Sequence, residues 1–287
     1  MDAAADDPMK RCILILLMLL ALCFVPPVWA GRVVNDAFVS KPFSHQIWQE
    51  VLSTSVNADG SVDLVHLRAY PLRLNQYLSL LAKVSPDTKP DDFPTYYDRL
   101  AYWINARNAL ALRLVLNAFP VETLDAIPNF MTDDHYKFGG KPYSLSQLND
   151  RIASEFMLRP QAYFALSDLS YGSPKLLDQA YSPDKITLEH QLESVTQAFL
   201  SDPNNIVVDQ PQPGECATLE ISAWLKPFEP AIARYENADQ GGFKPDHTPT
   251  FLDFIERYIQ PDAHAFLYED CGHPIKYIRP DNRLRQL

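Results

Sequence analysis

The chain has 287 residues, 47% of them hydrophobic, and a formal net charge of −11 at neutral pH. This length and apolar content are sufficient for a sizeable buried core. The negative charge argues against nucleic acid or an anionic membrane surface as the main partner. The histidines and cysteines show no spacing typical of a zinc site, so we expect neither a metal nor another cofactor.

The first 30 residues have the features of an export signal. Two basic residues precede an unbroken apolar run from Cys12 to Phe24, which is too short to cross a membrane. The acidic segment before Met9 fits no signal, which leaves Met9 as an alternative start. We expect cleavage after Ala30, giving a soluble protein without a membrane anchor that is periplasmic or secreted. An uncleaved membrane anchor is the alternative.

Cleavage would leave two cysteines, Cys216 and Cys271. In an oxidising compartment an even pair favours a disulfide. Two buried thiols are the alternative, because the spacing of the two residues does not distinguish the two states.

The many prolines predict short elements joined by stiff turns. Phe43–Leu52 is a short amphipathic start. Periodicity and capping signals predict a helix over Leu64–Val84 that is interrupted near Pro71, and a long helix that follows a start signal at Asp91–Pro94 and runs to about Ala118. Gly139-Gly140 predicts a hairpin over Tyr136–Pro142, and Ser144 with Gln147 predicts a capping box at the next helix. The later predicted elements are a strand Tyr163–Leu169, a helix Ile186–Leu200, a strand Asn205–Asp209, and helices Ile221–Tyr235 and Thr250–Ile259. The sequence therefore predicts a single helix-dominated α+β domain over residues 31–287, with a long buried central helix and a small antiparallel sheet.

Four stretches occur in an order and spacing that are typical of one family: LAYWINARNALALRLVL, GGKPYSLSQLND, YFALSDLSYGSPKL and ISAWLKPFEP. Over about residues 60–235 the chain resembles the bacterial and plant family known as domain of unknown function 547. That family has W-I-N-x-Y-N on a long helix and then a block that ends in I-E-H. H-F-A-L-x-C follows and leads into S-x-x-C-P.

The resemblance implies that the two asparagines of the first block, here Asn105 and Asn108, support a site that also holds Glu-His and the cysteines. At positions i and i+3 of a buried helix they face the same side. An amide neither takes up nor releases a proton near neutral pH, so we expect both residues to tie down loop backbone. Contact with a bound ligand is the alternative.

The chain departs from the family at the polar positions. Asn149-Asp150 replaces Glu-His, Tyr163 replaces the histidine, and Asp168 and Ser173 replace the cysteines. The departures predict a protein of unknown molecular function that has lost the family's chemistry and acts in binding or as a structural subunit. Its partner would be an unknown protein or a small molecule. The candidate binding residues are Asn105, Asn108, Asn149, Tyr163 and Asp168.

The alternative is a hydrolase or acyl transferase that uses Ser173 as nucleophile and Asp150 as base. A carboxylate near its reference pKa is a weak base for an alcohol, and the G-x-S-x-G elbow is absent. Asp150 and Asp168 acting as an acid–base or cation-binding pair is a further possibility. Because Ser173 lies in a turn before proline, we expect its hydroxyl to contribute little to stability.

Overall fold

The computed structural model describes residues 42–157, 159–209, 218–239, 251–259 and 275–287. The α-helices are α1 (Gln46–Ser55), α2 (Leu64–Ala69), α3 (Leu72–Lys83), α4 (Tyr96–Ala118), α5 (Leu145–Glu155), α6 (Lys185–Leu200), α7 (Glu229–Asp239) and α8 (Phe251–Glu256). Short 3-10 helices cover Pro90–Asp92, Leu124–Ala126 and Pro160–Ala165. The strands are β1 (Tyr136–Phe138), β2 (Lys141–Tyr143), β3 (Ile206–Asp209), β4 (Thr218–Ser222) and β5 (Ile275–Ile278). These residues form a helix-dominated α+β fold, as the sequence predicts.

Helix α4 forms the centre of the core. The side chains of Thr95 and Asp98 make a reciprocal capping box at its start, and Pro120 follows shortly after its end. From Leu100 to Leu116 every residue except Arg113 is buried. The long buried central helix is therefore confirmed, together with the two asparagines inside it.

The segment before α4 also follows the local signals. The predicted helix over Leu64–Val84 is divided into α2 and α3 on either side of Pro71, as expected. The hairpin of β1 and β2 is antiparallel, and Gly139 and Gly140 both adopt positive φ, at 56° and 83°. A favoured two-residue hairpin turn requires this conformation. Ser144 and Gln147 form the predicted capping box of α5.

A second sheet has the order β3-β4-β5. Strands β3 and β4 are antiparallel, with Ile206 opposite Ile221, whereas β4 and β5 are parallel. The small antiparallel pairing is confirmed, and a parallel strand is added to it. The parallel strand is β5, near the C-terminus. The residues that follow it include Leu284, which is buried in the core.

Two predicted elements are wrong. The predicted strand over Tyr163–Leu169 is instead the 3-10 helix Pro160–Ala165 followed by an irregular loop. All residues from 162 to 170 are buried, and a short continuous apolar run does not distinguish a strand from a buried turn. The predicted helix over Ile221–Tyr235 is the end of β4, a turn and then α7. Pro227 and Pro230 explain the late helix start, because proline is tolerated only in a first helical turn.

Several sequence predictions lie outside the described residues: the export signal, the start of the mature chain, and both Cys216 and Cys271. Among the helices of the described ranges, none combines the length and the apolar character that a membrane crossing requires.

Candidate functional site: a buried polar network around Arg107

The two asparagines of α4 hold two separate loops through their backbone. Asn108 Nδ2 donates to the Ala165 carbonyl at 2.8 Å, and Asn108 Oδ1 accepts from the Ser167 amide at 3.0 Å. Asn105 makes the same pair of hydrogen bonds with the carbonyl and amide of Tyr181, at 2.8 and 2.9 Å. Both side chains are buried, and each uses its nitrogen and its oxygen to bind loop backbone. Their expected role in tying down loop backbone is confirmed.

Arg107 lies between them and is the centre of the network, although its side chain is only 1% exposed. Its Nε donates to Asn149 Oδ1 at 3.0 Å, Nη1 donates to the Ser167 carbonyl, and Nη2 donates to Asp168 Oδ1. A buried guanidinium needs both a counter-charge and hydrogen-bond acceptors. The loop after the Pro160–Ala165 helix and helix α5 supply them together.

Asp168 is the counter-charge, and both of its oxygens are occupied. Arg107 donates to Oδ1, and the indole Nε1 of Trp224 donates to Oδ2 at 3.0 Å. The Asp168 side chain is 12% exposed. A carboxylate held in this way acts as the acceptor of a structural ion pair, and each of its oxygens accepts a hydrogen bond from a protein donor.

The Ser173 side chain forms hydrogen bonds with the backbone of its own loop. Its hydroxyl oxygen accepts from the amides of Asp168 and Ser170, at 3.1 and 3.3 Å, and its proton is donated to the Ser170 carbonyl at 3.1 Å. The residue is 1% exposed. The expectation that this hydroxyl contributes little to stability is therefore wrong, because removing it would leave buried amides without an acceptor.

The C-terminal segment holds the same loop from the other side. The Arg285 amide donates to the Leu169 carbonyl at 2.8 Å, and Arg285 Nε donates to the Ser170 carbonyl at 3.0 Å. Between these restraints Leu169 adopts a φ of 63°, which a branched side chain rarely takes. The loop is thus fixed by α4 on one side and by the end of the chain on the other.

Tyr163 extends the network into a row of aromatic rings. Its ring is fully buried and stacks on Phe228 at 4.9 Å, and Phe228 contacts Trp224 at 5.0 Å. Burial raises the pKa of the Tyr163 hydroxyl to about 12, so the group stays protonated near neutral pH. Apolar rings therefore occupy the space between Tyr163 and the indole that donates to Asp168.

The predicted catalytic pair is not brought together. Ser173 forms its hydrogen bonds with the backbone of residues 168–174. Asp150 is exposed on α5, and its side chain forms no hydrogen bond or ion pair with any residue in the described ranges. Asp168 faces Arg107 and Trp224, so the described geometry also gives no support to a pair of Asp150 with Asp168.

Residues 93–200 match the family model described as "Protein of unknown function, DUF547". The chain resembles the DUF547 family. The matched region contains α4, α5 and the loop that carries Asp168 and Ser173, whereas Trp224 lies beyond it. Neither a curated protein nor a solved structure matched the chain.

The positions that depart from the DUF547 pattern meet in space. Arg107 stands where W-I-N-x-Y-N has tyrosine, Asn149 where the next block has glutamate, and Asp168 where F-A-L-x-C has cysteine. The Arg107 side chain is hydrogen-bonded to both of the other side chains. Three positions at which this chain differs from that pattern are therefore parts of one network.

Sequence patterns predict Trp224 simply as a core residue and indicate no role for Arg107. A signal for Arg107 exists in the sequence, because an arginine inside an apolar helix must find a counter-charge. Candidate partners such as Asp150 lie closer to it in sequence than Asp168, so the sequence does not identify the partner. The role of Trp224 depends entirely on the fold, since its indole reaches Asp168 across 56 positions.

Proposed function

We propose that the protein is exported and acts without catalysis, as a binding protein or as a structural subunit of a larger assembly. One observation carries this proposal. The residue at the cysteine position of the DUF547 pattern is a carboxylate whose two oxygens are bonded to Arg107 and Trp224. The export part rests on the apolar N-terminal segment and its cleavage pattern.

The chemistry of the network supports this conclusion. A nucleophile or a general base needs a free lone pair that a substrate can reach. Each Asp168 oxygen already accepts a hydrogen bond from a protein donor, the amide of Asn149 cannot transfer a proton near neutral pH, and Tyr163 is buried. These groups instead fix one loop against α4 and α5. A rigid loop of this kind suits a binding surface or a subunit contact.

A hydrolase screen tests the proposal against the alternative reading. The purified protein is assayed against a broad panel of ester and amide substrates, and we expect no turnover above that of a heat-inactivated sample. Asp150→Asn is the informative variant, because Asp150 is exposed and its substitution should leave the fold unchanged. Reproducible wild-type turnover that is lost in both Asp150→Asn and Ser173→Ala would overturn the non-catalytic proposal.

A further inference from the structure

A shallow groove of about 400 Å³ lies between α3 and α4 and is bordered by strand β1. It is distinct from the Arg107 network, which contacts the loop after the Pro160–Ala165 helix. The residues that line it are Asn75, Leu78, Ser79, Ala82, Arg113, Asn117 and Tyr136. None of these side chains carries a negative charge, although the chain as a whole is strongly acidic.

Arg113 is the charged group of this groove. It is the one residue between Leu100 and Leu116 that is not fully buried, and partial burial lowers the pKa of its guanidinium. Its Nη2 donates to Asn75 Oδ1, and no carboxylate pairs with it among the residues that the structure describes. The half-buried Arg151, in contrast, has Asp87 at 2.7 Å. A guanidinium has five N–H donors, so most of those of Arg113 have no acceptor in the described ranges.

The neutral side chains around Arg113 add further donors. Asn117 Nδ2 donates to the Tyr136 hydroxyl oxygen at 2.7 Å, and no residue in the described part of the chain accepts the proton of that hydroxyl. Asn75 uses its oxygen for Arg113, and its NH2 group has no acceptor side chain or carbonyl among the described residues. Ser79 supplies a hydroxyl from the next turn of α3. The groove therefore combines one positive charge with several neutral donors.

We propose that this groove binds a small organic monocarboxylate. A single guanidinium matches a single negative charge, and its planar fork fits the two oxygens of a carboxylate. The apolar surface of Leu78 and Ala82 lies in the same groove and would contact the body of the ligand. The volume falls within the roughly 300–1,000 Å³ that is typical of small-molecule sites.

The proposal goes beyond the non-catalytic function and is independent of it. Arg113 takes no part in the network of Arg107, Asn149 and Asp168. A protein that fails to bind a carboxylate here would still be non-catalytic. A protein that hydrolyses an ester through Ser173 would still have this groove.

Titration of the purified protein with benzoate, followed by calorimetry or by protein NMR, tests the assignment. We expect saturable binding at one site. Benzamide has nearly the same shape without the charge and should bind at least about tenfold more weakly, because a charge-assisted hydrogen bond is lost. Inorganic phosphate should also bind more weakly than benzoate. Absence of saturable benzoate binding, or tighter binding of phosphate, would overturn the proposal.

Variants locate the binding at the groove. Arg113→Met keeps the length of the side chain and removes the charge, and it should lower benzoate affinity by at least about tenfold. Arg73→Met is the matched control on α3, because Arg73 is 57% exposed and pairs with Glu50. It should bind benzoate like the wild type. Tyr136→Phe removes one hydroxyl and should weaken binding severalfold. If Arg113→Met and Tyr136→Phe, both folded by circular dichroism, bind benzoate as tightly as the wild type, the assignment is wrong.

Discussion

Replacing Asp168 by asparagine is the sharpest test of the Arg107 network. The substitution conserves shape and still offers an oxygen to Arg107, but it removes the counter-charge of a guanidinium that is 1% exposed. Breaking a buried ion pair on one side destabilises a protein by about 3–5 kcal/mol, because the remaining charge is left uncompensated. This is a large part of the ~5–15 kcal/mol that stabilises a typical domain. We therefore expect Asp168→Asn to be folded and strongly destabilised.

Urea unfolding at neutral pH measures the effect. We expect the midpoint to fall while the slope of the transition stays constant, since the substitution should not change the surface exposed on unfolding. Arg107→Met and the double variant complete a cycle. The double variant should lose less stability than the two single losses combined, by about 1–3 kcal/mol. Asp125→Asn is the control, because its ion pair with Arg279 is exposed and should be worth at most about 1 kcal/mol.

Two results would refute the reasoning. One is an Asp168→Asn protein whose stability lies within about 0.5 kcal/mol of the wild type, the range of ordinary surface substitutions. The other is strict additivity in the cycle, which would show that the two side chains act independently. Either result would show that the contact between Arg107 and Asp168 is not a stabilising ion pair, and the non-catalytic proposal would lose the support that it takes from that pair.

The remaining predictions concern stability, pH and processing. In thermal or urea melts, Asn105→Ala and Asn108→Ala should each cost about 1–3 kcal/mol, and Ser173→Ala about 1–2 kcal/mol, because each leaves buried backbone groups unpaired. Burial lowers the pKa of His45 to about 3. The folded state therefore favours the neutral imidazole, and this group does not lower the free energy of unfolding above the unfolded pKa of ~6.5. As the pH falls from there towards 3, the free energy of unfolding decreases, and the loss at pH 4.5 is about 2–3 kcal/mol. His45→Gln should flatten this dependence, and an unchanged slope would contradict the assignment. N-terminal sequencing of envelope or secreted material should give Gly31; a start at Met1 or Met9 in a membrane fraction would contradict the export proposal.

Much of the fold follows from local signals in the sequence. The caps at Thr95 and Ser144, the break at Pro71 and the turn at Gly139-Gly140 each act within a few residues, and the structure contains all of them. The two wrong elements lie where local signals compete. Tyr163–Leu169 is apolar without alternation, so its burial is predictable but its conformation is not.

The candidate site was only partly predictable for the same reason. The chemistry of an amide indicates what Asn105 and Asn108 do, and both bind backbone as expected. It does not indicate which loops they bind, because their partners lie 76 and 57 positions away. The partner of Arg107 lies 61 positions away, and only the packing of the loop against α4 selects Asp168 over the nearer Asp150.

The pairing of Arg107 with Asp168 also constrains how this part of the core can change. Either residue alone would place an uncompensated charge in the core, at a cost of several kcal/mol. Asn149 and Trp224 supply further hydrogen bonds to the pair. Replacing both charged residues together by apolar ones removes the unpaired charge as well as the ion pair. We therefore expect positions 107 and 168 to tolerate substitution together better than either tolerates it alone, because only the single substitutions leave a buried charge without its partner.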